Sequence, residues 1–298
     1  MGRPSGQYGS VVTQAEKLLP FKLTLTQKKC IDEILTDMMA NKRMVRLVHG
    51  DVGSGKTVVA FLAMIAATAA GYQATFMVPT EILAQQHYET INTWCQALGI
   101  NCHLLTGSIK GKNRKATLNS ISTGQANITI GTHAIIQQDV KFENLSLAII
   151  DEQHKFGVGQ RLALSQKGID VDLLVLSATP IPRTLLMSAY GDMDVSRLTS
   201  RPKNRGKIRT AVKPLSQIDS VIDAISRAVS AGGKVYWVCP LIEESNFMEL
   251  SAATARHKSL ETTFGKQVGL VHGQMDQSTK DEVINNFANG PIAVSYAH

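Results

Sequence analysis

Val45-Arg46-Leu47-Val48-His49-Gly50-Asp51-Val52-Gly53-Ser54-Gly55-Lys56-Thr57, running on into Val58–Ala70, is the stretch whose reading decides the fold. An apolar, β-branched run ends in a loop of pattern G-x-x-x-x-G-K-T, and a second apolar run of helical length follows. Gly50, Gly53 and Gly55 let successive backbone N–H groups turn inward around an anion, and the start of the following helix adds positive potential there. In that setting Ser54 lines the cradle, Lys56 neutralises the outer phosphates of a triphosphate, and Thr57 offers its hydroxyl to Mg²⁺. The order strand, loop, helix distinguishes this motif from a merely flexible glycine turn. Val58–Ala70 is too short to cross a bilayer and reads as a buried helix.

Working outward, apolar β-branched runs at 44–49, 74–78, 127–131, 146–150 and 172–177 predict strands buried on both faces. Helical stretches at 26–41, 56–70, 81–98 and about 111–122 lie between them. This alternation implies a parallel sheet covered on both sides by right-handed crossovers. Thr199–Lys207, with Pro, Gly and clustered cations, reads as a linker. Beyond it the pattern resumes: strand 208–212, helix 215–231, strand 234–239, helix about 246–264, strand 267–271, helix 276–288, and a run Ile292–Ser295 that opens a further strand. The expected organisation is a polar lead at 1–17, a first α/β domain at 18–200, a linker at 201–207, and a second, incomplete domain at 208–298.

Leu147-Ala148-Ile149-Ile150-Asp151-Glu152-Gln153-His154 is an apolar strand ending in two carboxylates. In a parallel sheet ligands bind at the carboxyl ends of strands. Asp151 can therefore reach the Mg²⁺ shell beside Thr57, and Glu152 can orient and deprotonate an attacking water. Lys56, Thr57 and the Asp151–Glu152 couple are expected to meet around one magnesium triphosphate at the ends of adjacent strands. Ser177-Ala178-Thr179-Pro180 closes another apolar strand, and its hydroxyls are placed to hydrogen-bond His154 and the acidic box. Three more loops end strands on the same side: Pro79-Thr80-Glu81, Thr106-Gly107-Ser108 and Gly131-Thr132-His133. Each is a helix cap or a phosphate contact of a nucleic-acid backbone, which fixes register without reading sequence. The run Lys110–Lys115 is open between a solvated face and added electrostatic affinity.

Composition sets bounds on these readings. A hydrophobic content of 44% supports a buried core and excludes a disordered chain. The formal charge of +7 sits in the first part: residues 1–205 hold 22 Lys/Arg against 15 Asp/Glu, leaving 9 of each in 206–298. That suits a polyanionic partner. Four irregularly spaced cysteines without a CxxC pair argue against a zinc site and for free thiols in a reducing cytosol. Residues 1–10 have no apolar signal-peptide core, so a cytoplasmic protein is expected.

The motifs together resemble the superfamily-2 helicases with two RecA-like domains, and within them the RecG-type branched-DNA helicases. The resemblance rests on Leu19–Thr24 with Gln27, GDVGSGKT, VPTEILAQQH, LTGS, GTHAIIQ, DEQHKFGVGQR, LSATPIPRT and VHGQM, and covers about residue 14 to the end. SATPIPRT is shared with the transcription-repair coupling translocase, the alternative reading; the DEQH box with FGV looks more like RecG. The resemblance implies a fold of two RecA-like parallel-sheet domains of the P-loop NTPase kind, the second incomplete. It implies ATP and Mg²⁺ as cofactors and branched DNA as partner, with a monomer that hydrolyses ATP and no membrane association. Gln27 would contact adenine; His154, with Ser177, Ala178 and Thr179, would couple hydrolysis to movement. Thr80, Thr106, Gly107, Ser108, Thr132 and His133 would touch DNA from the first domain, His272 and Gly273 from the second, and Arg183 would lie between motor and DNA. Lys155 and His49 stand where the family usually has an arginine and a glutamine. The short lead predicts no wedge domain before Leu18, and the end at His298 predicts a motor cut before its arginine finger, hence a binding fragment with little turnover.

Overall fold

The computed structural model describes residues 8–152, 163–164, 166–179, 193–200, 208–238, 260–272 and 275–297. The chain divides into two compact units, Met1–Gly206 and Lys207–His298.

The first unit is built on seven strands: β1 (Val45–Gly50), β2 (Gln73–Met77), β3 (Cys102–Leu105), β4 (Ile128–Gly131), β5 (Leu145–Asp151), β6 (Asp172–Ser177) and β7 (Asp194–Leu198). Their order is β3-β4-β2-β5-β6-β1-β7, and every pairing is parallel. All the carboxyl ends therefore open onto one edge of the sheet. The central strands are buried on both faces, as their unbroken apolar runs require.

Among the described residues, the sheet is covered by α1 (Tyr8–Leu18), α2 (Leu25–Met39), α3 (Lys56–Ala69), α4 (Glu81–Ala97) and α5 (Gly111–Ser122). In α3 every residue from Val58 to Ala67 is buried, so this helix is the centre of the core rather than its cover. Phe61 and Phe76 are fully buried, each contributing about 1.5–3 kcal/mol relative to exposure. A capping box starts α2, where Thr24 Oγ1 accepts from Gln27 N and Gln27 Oε1 accepts from Thr24 N.

The second unit carries three parallel strands, β8 (Val235–Val238), β9 (Val268–Val271) and β10 (Val294–Ala297), in the order β8-β10-β9. Helices α6 (Ile218–Ser230) and α7 (Gln277–Asn289) accompany them. Lys234 Nζ donates to the carbonyls of Phe287, Gly290 and Ile292, placing a cation at the negative end of α7.

Two local expectations are corrected, and two strands are added that the apolar runs did not mark. Residues 208–212 form no strand; they run without ladder partners, and Ile208 and Val212 are exposed. Tyr8–Leu18, read as polar lead, is a helix whose Val12 and Ala15 join the core. β3 and β7 lie at the two edges of the sheet, half-exposed, and neither shows the continuous apolar run by which the other strands are recognised. The helix expected at about 246–264 falls mostly outside the described residues.

Candidate nucleotide and nucleic-acid site

The phosphate loop follows β1 as its sequence demands. Gly53 (φ 74°) and Gly55 (φ 87°) take the left-handed backbone that side chains avoid. A Cβ on Gly55 would also collide with the Gln27 side chain. Gly50 pairs with Leu198 of β7, and a Cβ there would lie 2.9 Å from that of Leu198. The loop is thus wedged between two neighbours before any ligand is considered.

Gln27 is 3% exposed. Its Nε2 donates to Ser54 O at 2.9 Å, and its Oε1 is taken by the α2 cap. The side chain expected to meet adenine is therefore, in this conformation, a clip between the start of α2 and the phosphate loop. Lys56 Nζ donates to Gly50 O at 2.7 Å and Asp51 O at 3.3 Å, lying along the loop it would serve. Burial lowers its affinity for the proton, while the carboxylates of Asp151, Glu152 and Asp51 raise it; the balance leaves Lys56 below the usual lysine range. The same influences place Lys56 within the field of the acidic box.

Asp151 ends β5 and Ser177 ends β6. β6 lies between β5 and β1, so the phosphate loop and the acidic box are not on adjacent strands as expected. They stand two strands apart, roughly 10 Å at the usual strand spacing, a gap suited to a metal held partly by phosphate oxygens. Glu152 sits at φ 49°, an uncommon conformation for a non-glycine residue, and its N–H donates to Asp151 Oδ1 at 3.0 Å. On the intervening strand, Ser177 Oγ donates to Thr179 O at 3.0 Å and accepts from Thr179 N at 3.2 Å. That forms a compact turn around Ala178 between the two halves of the site.

These residues fit a magnesium triphosphate. Ser54 Oγ is buried in the loop without a hydrogen-bond partner among the described residues. Hydroxyl and carboxylate oxygens such as those of Thr57 and Asp151 are the hard donors that Mg²⁺ takes. No group of three or more His, Cys, Asp or Glu side chains able to hold a metal occurs among the described residues.

The other candidate loops close β2, β3 and β4, the three strands at one side of the same sheet. Thr80 caps α4, accepting from Leu83 N at 3.3 Å. Thr106 Oγ1 and Ser108 Oγ share a hydrogen bond of 2.8 Å, with Gly107 exposed between them. Thr132 is 1% exposed, and its Oγ1 has no hydrogen-bond partner among the described residues, whereas His133 is exposed. Gly131 admits no side chain because a Cβ would strike the Leu105 carbonyl; this holds the β4 loop against the β3 loop. One sheet edge thus carries the phosphate and acidic loops over β5-β6-β1 and the hydroxyl-bearing loops over β3-β4-β2. Within the basic run, Arg114 donates to Gln137 Oε1 and Asp139 Oδ2, both at 2.8 Å, so this cation is engaged within the fold.

In the second unit His272 follows β9; its N–H donates to Met275 Sδ at 3.4 Å, and its Nδ1 is buried without a partner among the described residues. His154, Lys155, Arg183 and Gly273 lie outside the described residues.

Two residues were not anticipated. His87 Nε2 lies 3.7 Å from Asp151 Oδ2 and its ring packs on Phe76, so α4 contacts the acidic box directly. Glu81, the first residue of α4, accepts the Ser108 amide at 3.0 Å. For His87 a signal existed: it shares helical spacing with Ala84 and Ile91, both buried, and a polar residue on a buried stripe needs a partner.

Comparison with known proteins gives concordant matches. The family model described as DEAD/DEAH box helicase matches residues 24–188. The chain is 48% identical over 278 residues to the ATP-dependent DNA helicase RecG of Streptococcus pneumoniae serotype 4, covering 93% of this chain and 41% of that protein. It is 47% identical over 281 residues to the RecG of Staphylococcus aureus strain NCTC 8325, covering 93% and 40%. Among solved structures, a RecG bound to a three-way DNA junction superposes with a TM-score of 0.81 at 40% identity, over 99% of this chain and 38% of that one. The chain spans about two fifths of the length of the curated relatives it matches.

Proposed function

Since this chain belongs to the DEAD/DEAH box helicase family, we propose that it forms the motor part of an ATP-dependent DNA helicase of the RecG type. In this reading ATP is hydrolysed with Mg²⁺ to remodel branched DNA, forks and junctions, in recombination and repair. The observation that carries it is that the phosphate loop after β1 and the acidic box ending β5 open on one edge of a parallel sheet, two strands apart.

Each of the described residues has a role that its position supports; His154 and Gly273 take theirs from the resemblance alone. Lys56 leaves the Gly50 carbonyl to neutralise the outer phosphates, and the amides around Gly53 and Gly55 bind the phosphate oxygens. Thr57 and Asp151 would hold Mg²⁺, which would supply charge neutralisation at the transferring phosphoryl group. Glu152 orients the attacking water and takes its proton. Gln27 acts on the nucleotide through the loop it clips. Ser177, Ala178 and Thr179, between the two halves, relay the change together with His154. Thr80, Thr106, Gly107, Ser108, Thr132 and His133 receive the DNA backbone, with His272 and Gly273 contributing from the second unit. The relatives named as RecG helicases support DNA as the partner, as does the junction-bound RecG structure.

Turnover of ATP with and without branched DNA tests the reading. Lys56→Ala is expected to abolish nucleotide binding. Glu152→Gln is expected to bind nucleotide normally while losing about 10²–10⁴-fold in rate, the usual worth of a general base. Hydrolysis by both variants at the parent rate would overturn the assignment. A second reading is a nucleotide- and DNA-binding chain with little turnover. Measuring affinity and turnover on the same preparation separates the two: brisk DNA-stimulated hydrolysis removes the second.

A further inference from the structure

Between the candidate DNA loops stands an acidic side chain. Glu81 follows Thr80 at the start of α4, and its Oε1 accepts the N–H of Ser108 at 3.0 Å across 27 residues of sequence. The carboxylate also closes over Gly107, where an added Cβ would come within 3.2 Å of Oε1. Thr106 Oγ1 and Ser108 Oγ, bonded to each other, flank that glycine. A loop with Gly107 and Ser108 exposed over the buried Thr106 hydroxyl, presenting an amide beside a helix N-terminus, is a cradle for an anion. Here the anion is supplied by the chain itself.

We propose that Glu81 stands in for a backbone phosphate of the bound strand: it holds the Thr106–Ser108 loop in its receiving form and is displaced when a phosphate takes the Ser108 amide. The proposal rests on the nucleic-acid reading of these loops. One N–H cannot serve two anionic oxygens at full strength, and a carboxylate beside a phosphate repels it. Glu81 therefore keeps the loop ordered in the absence of DNA while weakening the grip on it. A moderated grip is what a translocating motor needs, since each step requires release of the phosphate it holds.

The test compares the parent chain with Glu81→Gln and Glu81→Ala in binding a labelled single-stranded oligothymidylate across a series of salt concentrations. Glutamine keeps an acceptor oxygen for the Ser108 amide and removes the charge. Glu81→Gln is expected to bind about three- to tenfold tighter at low salt, with a log–log salt dependence steeper by up to about 0.7. Glu81→Ala, which loses the acceptor too, is expected to bind less tightly than Glu81→Gln, and its Ser108 amide resonance to move toward that of a solvated N–H. If Glu81→Gln matches the parent in affinity and salt slope while Glu81→Ala binds more weakly, Glu81 only braces the loop and the proposal is overturned. Absence of binding by the parent and by Glu81→Gln alike would overturn the nucleic-acid reading, and the proposal with it. Binding by the parent without any gain in Glu81→Gln removes the proposal alone.

Discussion

A methyl group on Gly131 has nowhere to go, because the Leu105 carbonyl already occupies its place. Gly131→Ala is therefore expected to lower stability by about 3 kcal/mol, the upper end of overpacking costs, since backbone rather than a side chain must yield. Gly71 makes the contrast. Its φ is 82°, yet nothing lies within 4 Å of an added Cβ, so Gly71→Ala should cost only the left-handed strain, about 1 kcal/mol. Urea denaturation of the two variants checks both the values and their order. Gln73, 3% exposed, has a different reason for its residue type. Its Nε2 donates to Ile121 O and Ala126 O, and its Oε1 accepts from Glu143 N and Asn144 N. Gln73→Leu keeps the bulk and takes this partner from Ala126 O, Glu143 N and Asn144 N, whereas Ile121 O still accepts from Gly124 N; an expected loss of about 3 kcal/mol follows, by the same measurement. At this scale the sequence was readable wherever a motif fixes its own geometry locally, as in Gly50–Thr57. It was unreadable wherever the partner comes from far along the chain. Glu81 meets Ser108, and His87 meets Asp151, only because β3, β4, β2 and β5 stand in that order. Gln27 was noticed for its family position; that its amide is spent on Ser54 follows from the packing of α2 against the loop.

Elements were legible in proportion to how completely they are buried. β2, β5 and β6 are covered on both faces and show as continuous apolar runs. β7, DVSRL, is an edge strand whose buried positions are Ser196 and Leu198. Its cohesion comes from polar contacts that no hydrophobic pattern reveals. Arg46 of β1 donates to Asp37 Oδ2 at 2.7 Å and to Ser196 Oγ at 2.8 Å, and Ser196 Oγ in turn donates to Glu33. Conversely 208–212 has strand-like composition but no neighbour to pair with among the described residues, and propensity without a partner makes no ladder. α1 was hidden by its polar majority, YGSVVTQAEKL. Val12 and Ala15 are buried, Ala15 completely, in the same cluster as α3. Ala15→Asp should therefore detach α1 and lower stability by about 2 kcal/mol or more, by burying an unpaired charge or exposing the apolar surface beneath. Thr13→Asp, on the exposed side, should stay within about 0.5 kcal/mol of the parent. Equal effects from the two would mean that α1 does not pack as described.

The two compact units differ in how they are held together. The first has a continuous core around α3 and a second cluster on the opposite sheet face. The second, among the described residues, has four buried hydrophobics, Leu260, Val268, Phe287 and Val294, with partly buried neighbours around them. Its helix α6 has no fully buried residue. A core that small supplies little beyond the entropy it must offset. The second unit is therefore expected to unfold at lower denaturant than the first, in a separate transition. The chain contains its own reporters, since it has two tryptophans. Trp94 packs against Phe61 and Phe21 in the first unit; Trp237 lies on β8 in the second. Trp237→Phe leaves fluorescence from the first unit alone, and Trp94→Phe from the second alone. In urea the Trp94 signal should change at a clearly higher midpoint than the Trp237 signal. Saturating magnesium nucleotide, bound by loops of the first unit, should raise the Trp94 midpoint by mass action. It should leave the Trp237 midpoint unmoved if the units unfold independently. Coincident midpoints that rise together with nucleotide would show instead that the two units unfold as one cooperative body, and that the small second core draws its stability from the first.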